Sequence, residues 1–237
     1  MVLVCNDPRF IYLKTRKTAG TSVEMALEPF CAPPGHTVTE RTSGLRTERG
    51  LIGHRLMQNS KGWDPALAEW RPHMRADQVR AAVGEAIWNA SARITCVRNP
   101  FQRAISLFHW KRKLKGKPPF EDFERERTAF RRWLERAPDS FADRAIVHVD
   151  GEFAPTHVVR CERIEEDLAA ICRALGLPAP GPLAQAKVRP RREGEPDTAD
   201  YFTPAGIDKI RQHCAWMFRA GGYADSPPST RTAGAMS

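Results

Sequence analysis

The sequence predicts an α/β fold with a central, largely parallel sheet. Three observations carry that prediction. Short β-rich runs alternate with stretches of helical periodicity, two of the strands lead through short turns into helices, and no internal repeat imposes another architecture. The chain has 237 residues. At about 150 residues per domain this allows one large domain or two small ones. Residues 1–224 read as one domain, and the Pro/Ser/Thr-rich stretch 225–237 reads as a disordered tail.

Phe10 to Lys14 is a short β-rich run and reads as a strand. Thr15 to Gly20 is a polar turn. Thr21 to Leu27 opens a helix, with Thr21 or Ser22 as the N-cap and Glu24 in the first turn. Cys31 to Gly53 is rich in Pro, Gly, Thr and Arg and reads as a long loop. Ala76 to Trp88 has helical periodicity interrupted by Gly84. Arg93 to Val97 is a second strand, followed by a turn at Asn99-Pro100 and a helix from about Gln102 to Trp110. Lys111 to Lys117 reads as a basic linker and Glu121 to Arg136 as a charged helix. Ala145–Val149 and Thr156–Arg160 read as strands around the turn Asp150-Gly151. Ile164 to Leu175 is a helix stopped by Gly176 and Pro178, Leu183 to Asp200 is a basic loop, and Pro204 to Arg219 is a last helix.

Composition excludes several classes. The apolar fraction of 41% and the charged fraction of 27% are ordinary globular values, which argues against wholesale disorder. No stretch approaches the roughly 18 apolar residues of a membrane span. Met1 to Phe10 contains Asp7, Pro8 and Arg9 and has no apolar core of the secretory type. The six cysteines form no C-x-x-C pair and no zinc-like spacing, so free thiols in a reducing, cytoplasmic compartment and no metal site are expected. The formal net charge of +9 suggests an anionic partner; nucleic acid, a phosphorylated cofactor and an acidic glycan all fit.

The first motif is a strand, a turn and a helix, with Lys14, Lys17, Gly20, Thr21 and Ser22 at the turn. Backbone N–H groups at a helix start lack intrahelical partners, and the helix dipole favours an anion there. Gly20 lets the backbone approach that anion, Lys17 adds a full charge, and Thr21 and Ser22 add hydroxyl donors. The pattern is not a Walker A loop, which places its lysine directly after the last glycine. Here Thr21 holds that place and Lys17 lies three residues before Gly20. An ordinary βα turn with exposed lysines is the competing reading.

The second motif, Arg98-Asn99-Pro100 followed by Arg103 and Ser106, comes directly after the second strand. The C-terminal end of a strand in a parallel α/β sheet is where ligands bind. An arginine fork with a serine hydroxyl suits a phosphate. The competing reading is a buried arginine capping the sheet.

With both motifs present, the chain resembles the sulfotransferases that use 3′-phosphoadenosine 5′-phosphosulfate (PAPS). Lys17-Thr18-Ala19-Gly20-Thr21-Ser22 is similar to that family's P-K-T-A-G-T-S loop for the 5′-phosphosulfate. Arg98-Asn99-Pro100 with Arg103 and Ser106 is similar to its V-R-N-P-x-x-R-x-x-S element for the 3′-phosphate. The resemblance is closest to bacterial relatives of the Golgi carbohydrate sulfotransferases and runs from about Phe10 to Tyr223. It implies a P-loop-like three-layer domain. Arg16 replaces the usual proline before the lysine, which predicts a less rigid loop. His157, Cys161 and Trp216-Met217 also depart from the family's usual residues.

The resemblance also implies roles. Lys17 stabilises charge on the leaving oxygen, and Lys14 with the residues Thr18, Ala19, Gly20, Thr21 and Ser22 binds the 5′ end of the donor. Arg98 and Ser106 bind the 3′-phosphate. Lys187 and Arg189 resemble a loop that closes over the cofactor, or are plain solvated charges. The acceptor hydroxyl, on a carbohydrate or another small hydroxylated molecule, needs a base. His73 is the first candidate and His54 the second, with Glu40 or Glu48 as substitutes. No metal is needed. Two other readings remain at this point: a P-loop-like kinase using ATP, and a non-catalytic nucleic-acid-binding protein using the patches at Lys111–Lys117 and Val188–Arg192.

Overall fold

A computed structural model gives the structure and describes residues 2–55, 63–181, 183, 194 and 196–229. In chain order the elements are β1 (Val2–Asn6), β2 (Arg9–Leu13), α1 (Gly20–Cys31), β3 (Leu45–Thr47), β4 (Gly50–Ile52), α2 (Ala76–Val83), α3 (Glu85–Ala90) and β5 (Ala92–Val97). Then come α4 (Pro100–Leu114), α5 (Phe123–Glu135), α6 (Arg144–Val147), β6 (His148–Val149), β7 (Glu152–Phe153) and β8 (His157–Arg160). The last are α7 (Ile164–Ala174), α8 (Pro204–His213) and α9 (Ala215–Gly221). They form two compact units, Met1–Val97 with Asp143–Lys187, and Arg98–Ala142 with Val188–Ser237. Each unit is assembled from two separated stretches, so no linker marks the division along the sequence.

The first unit contains a six-stranded sheet of order β3-β4-β1-β2-β5-β8. Strands β2, β5 and β8 run parallel. The pairs β1–β2, β1–β4 and β3–β4 are antiparallel. The sheet is therefore mixed rather than largely parallel. The antiparallel part comes from two hairpins that the sequence reading passes over. One joins β1 to β2 across Asp7-Pro8, and the other lies inside the stretch 31–53 that reads as a loop. Both are built from runs of three to five residues, too short to show a period.

Alternation along the central strands splits their side chains between two cores. Leu3, Cys5, Phe10, Tyr12, Ile94 and Cys96 pack with Val23 and Leu27 of α1 and with Leu168 and Ile171 of α7. Val2, Val4, Ile11, Leu13 and Leu51 pack with Trp70, Met74, Val79 of α2 and Trp88 of α3. Helices thus cover both faces, giving three layers within this unit. Continuous apolar strands such as Val2–Cys5 are what burial on both faces requires.

Several boundaries shift. Helix α1 starts at Gly20 with Ala19 as its N-cap and no side-chain cap. Thr21 and Ser22 lie inside the helix, and its first turn has no acidic residue, so neither expected cap nor expected Glu24 placement holds. Gly84, at φ 83°, divides α2 from α3 as its interruption of the pattern predicts. The predicted strand Ala145–Val149 is mostly the single turn α6, and only His148–Val149 pairs, with β7.

In the second unit α4 runs to Leu114, so it absorbs the first half of the stretch that reads as a basic linker. Pro100 at its first turn and the Asn99 cap fix its start. Asp122 caps α5. The predicted last helix is broken at Cys214 into α8 and α9. An aromatic cluster forms the core: Phe101 meets Phe202 edge-on at 5.1 Å, and Phe130 meets Phe202 at 5.1 Å and Tyr201 at 5.6 Å. Among the described residues no helix is long and apolar enough to cross a membrane.

Candidate active site

The turn between β2 and α1 has an unusual backbone. Lys17 has φ 65° and Ala19 has φ 57°, while Thr18 between them stays out of the left-handed region. Alternation of this kind turns successive N–H groups into one concavity, a known anion cradle. The start of α1 has no side-chain cap. The Ser22 amide donates to the Ala19 carbonyl at 2.9 Å. The Ala19, Gly20 and Thr21 amides have no hydrogen-bond partner among the described residues. These donors lie at the positive end of a 12-residue helix.

Side chains hold this backbone in place. The Thr15 hydroxyl donates to the Cys96 carbonyl at 2.6 Å, tying the turn to β5. The Thr18 hydroxyl is fully buried, 2.9 Å from that of Thr15, so Thr18 serves the turn's shape and leaves only its backbone for a ligand. A Cβ on Gly20 would lie 2.9 Å from the Tyr12 hydroxyl and 3.1 Å from Lys14 Cγ. That hydroxyl donates to the Gly20 carbonyl at 3.1 Å. By sequence Gly20 is expected to admit the close approach of an anion; in the structure it is Tyr12 and Lys14 of the strand side that approach it closely.

Arg16 and Asp143 form the strongest tie. The Arg16 amide donates to Asp143 Oδ2 at 2.7 Å, and Arg16 Nε donates to Oδ1 at 2.5 Å. The Asp143 side chain is fully buried. The departure from proline at position 16 therefore does not loosen the loop, as the sequence reading expects. It exchanges a ring for an N–H and a guanidinium, both gripped by one carboxylate. Nothing near Lys17 in the sequence points to Asp143, which lies 127 positions after Arg16.

Lys14 is placed differently from its expected role. Its ammonium is 2.6 Å from Glu24 Oε2, and both residues are buried. Glu24 also meets Arg55 Nε at 3.2 Å. Arg55 pairs with Glu28, which in turn meets His36 Nε2 at 2.6 Å and the Thr42 hydroxyl at 3.1 Å. Burial pushes the Glu24 carboxyl up, but surrounding cations, Lys14 and Arg55 among them, outweigh it and hold its pKa below the usual value. Lys14 thus contributes its charge to a buried network under α1 rather than to the amide cradle. Glu24, which by sequence is expected only as a first-turn acid, and Glu28, one helical turn on and not singled out by sequence, are both fully buried.

The two histidines separate clearly. His73 Nδ1 is 2.9 Å from the Lys14 carbonyl, immediately before the cradle. A carbonyl accepts, so Nδ1 carries the proton and Nε2 keeps its lone pair. Burial lowers the His73 pKa to about 4, so the ring is neutral at pH 7. His73 sits at φ 60°, which its place in the backbone must enforce. His54 is fully buried, stacked on Trp63 at 3.8 Å. Its Nδ1 accepts the Gly44 amide at 2.9 Å, and its Nε2 donates to the Asp64 carbonyl at 3.0 Å. Both nitrogens are committed, which removes His54 from the candidates for a base. Glu40 and Glu48 are exposed.

In the second unit the Asn99 carboxamide oxygen accepts from the Phe101 and Gln102 amides at 3.1 and 3.3 Å. The start of α4 is closed in this way, unlike that of α1. What it offers an anion is side chains. Arg98 and Ser106 are both half-buried, with no hydrogen-bond partner among the described residues. Ser106 follows the Asn99 cap by seven residues, close to two full turns and about 10 Å along the axis. Arg103 is fully buried and donates to the Phe141 carbonyl at 2.9 Å, so it builds the unit's interior. Lys187 and Arg189 lie outside the described residues. No group of three or more His, Cys, Asp or Glu among the described residues is placed to hold a metal.

Comparison with curated proteins gives no match, and comparison with solved structures gives none either. Residues 1–180 match the model of a family described as the Sulfotransferase family.

Proposed function

The chain belongs to the sulfotransferase family, and from that premise we propose that it moves a sulfuryl group from PAPS to a hydroxyl on a carbohydrate or other small acceptor. The observation that carries this reading is the cradle at Lys17–Thr21: an uncapped helix start, amides without partners among the described residues, and two left-handed residues, Lys17 and Ala19, on either side of Thr18. Such a cradle suits a tetrahedral oxyanion. The P-loop-like character of the fold is part of the same proposal.

Each role follows from a residue's chemistry. The amides of Ala19, Gly20 and Thr21 hold the 5′-phosphate, and the Ser22 hydroxyl lies one residue further along the same turn. Lys17 neutralises charge on the phosphate oxygen that leaves when its bond to sulfur breaks. Arg98 and Ser106 take the 3′-phosphate, a fork and a hydroxyl both lacking internal partners among the described residues. Nε2 of His73 accepts the acceptor's hydroxyl proton as the new oxygen–sulfur bond forms. Its tautomer is set by the Lys14 carbonyl. The six cysteines are free thiols, in keeping with a reducing compartment.

A calorimetric titration tests the reading. Adenosine 3′,5′-bisphosphate should bind without metal and far more tightly than AMP, and Arg98→Ala should erase that difference by roughly tenfold to a hundredfold. Preference for ATP with Mg²⁺ would return the kinase reading. Binding of oligonucleotides alone, with a steep salt dependence, would return the nucleic-acid reading.

A further inference from the structure

We propose that the C-terminal end of α4 and the turn after it form a docking surface for an anionic lipid membrane. The proposal does not depend on the assigned reaction. Residues 111–117 hold five cations, Lys111, Arg112, Lys113, Lys115 and Lys117, and no acid. Lys113, Lys115 and Lys117 are exposed, with no ion-pair partner among the described residues. Leu114 stands among them at 64% exposure. Among the described residues only Ile87, at 41%, is another strongly exposed large hydrophobic side chain.

The turn is built, not frayed. Gly116 has φ 64°, which reverses the chain after α4. Arg112 stacks over the Phe120 ring at 3.8 Å and donates to the Pro118 carbonyl at 2.8 Å, folding the Pro118–Phe120 stretch back against the helix end. Pro118 and Pro119 are exposed. The tip therefore presents an apolar point with lysines around it. Two acids follow, Glu121 and Asp122, which leaves the stretch 111–122 at five minus two, or +3. Asp122 is engaged as the cap of α5, accepting the Glu124 amide at 2.7 Å.

Charge alone fits any polyanion. Leu114 decides among them. A polynucleotide or a sulfated glycan has no use for an exposed leucine, whereas the boundary of headgroups and acyl chains accepts one while lysine stems reach outward to the phosphates. Each lysine near an anionic surface and the buried leucine then act together.

The test is sedimentation of the full chain with phosphatidylcholine vesicles, with and without phosphatidylglycerol. The expected result is pelleting with the anionic vesicles only. The triple variant Lys113→Gln, Lys115→Gln, Lys117→Gln should weaken partition roughly a hundredfold. Leu114→Gln, at unchanged charge, should weaken it roughly tenfold while leaving the affinity for heparin and for a single-stranded oligonucleotide unchanged. These positions are exposed, and unchanged circular dichroism confirms that the variants fold. Absence of pelleting with anionic vesicles overturns the proposal. So does a Leu114→Gln variant that partitions as the parent does, since the tip is then a general polyanion site.

Discussion

Replacing Asp143 by alanine should destabilise the protein and loosen the Lys17 turn at once. Asp143 accepts the Arg16 amide at 2.7 Å and the Arg16 Nε at 2.5 Å. Its side chain is fully buried, while that of Arg16 is 27% exposed. Breaking a buried pair by removing one partner costs roughly 3–5 kcal/mol. Here the guanidinium is able to swing to water, so the loss is smaller. The amide keeps its deficit, a bond to a charged acceptor worth about 1.5–3 kcal/mol. A total of about 2–3 kcal/mol follows, which for a chain of this length lowers the melting temperature by about 4–12 °C. Left-handed residues such as Lys17 and Ala19 store roughly 1–3 kcal/mol each and persist only where their surroundings hold them. Released, the turn should bind adenosine 3′,5′-bisphosphate roughly tenfold or more weakly. Asp143→Asn keeps one oxygen for the amide and should fall between parent and alanine variant. Urea denaturation and calorimetric titration read the two effects. An alanine variant within about 1 kcal/mol of the parent, with unchanged affinity, refutes the clamp.

Further outcomes follow from the same geometry. Lys17→Ala should lower the transfer rate by roughly a hundredfold to a thousandfold with little change in stability; a parental rate sinks its role at the leaving oxygen. Because the His73 pKa is lowered to about 4 by burial, the rate should hold well below pH 6.5 and fall only as pH approaches 4. The linked effect on stability has a definite sign. The unfolded chain takes up a proton near pH 6.5 and the fold does not until about pH 4, so stability is present above 6.5 and drains away as pH drops between those values. A His73→Gln variant should lose that pH dependence in stability curves. His54→Gln should lower stability through its buried bonds yet leave the rate per folded molecule unchanged, measured by active-site titration. Glu24→Gln leaves Lys14 buried against a neutral partner, while Arg55 keeps Glu28, and should cost roughly 3 kcal/mol in urea denaturation.

The motifs were legible because each is written in consecutive residues. A strand, a polar turn and a helix start at Lys17–Ser22, and Asn99-Pro100 before α4, carry their own local geometry. The reading failed where structure depends on distant partners. The cap at Ala19 rather than Thr21 reflects a left-handed backbone held by Arg16, Thr15 and residues of other elements. Lys14 reads as a ligand because its sequence neighbours do not reveal Glu24 beneath it. The strands β1, β3 and β4 are short, and only their partners in the sheet make them strands. His54 and His73 look alike in sequence. They differ because one has both nitrogens bonded and the other keeps one open on the side away from Lys14.

The Arg16–Asp143 tie also has a calendar. Translation delivers Arg16 early and Asp143 127 residues later. At about 5–20 residues per second, that is a gap of roughly 6–25 s. Throughout that interval the nascent chain has every residue of the cradle and lacks the carboxylate that grips it. Strand β8, the outer parallel partner of β5, emerges later still. A ribosome-bound chain therefore carries every residue of the Lys17–Thr21 turn before the carboxylate that sets it, and the turn's final shape arrives as a late event in synthesis rather than with its own residues.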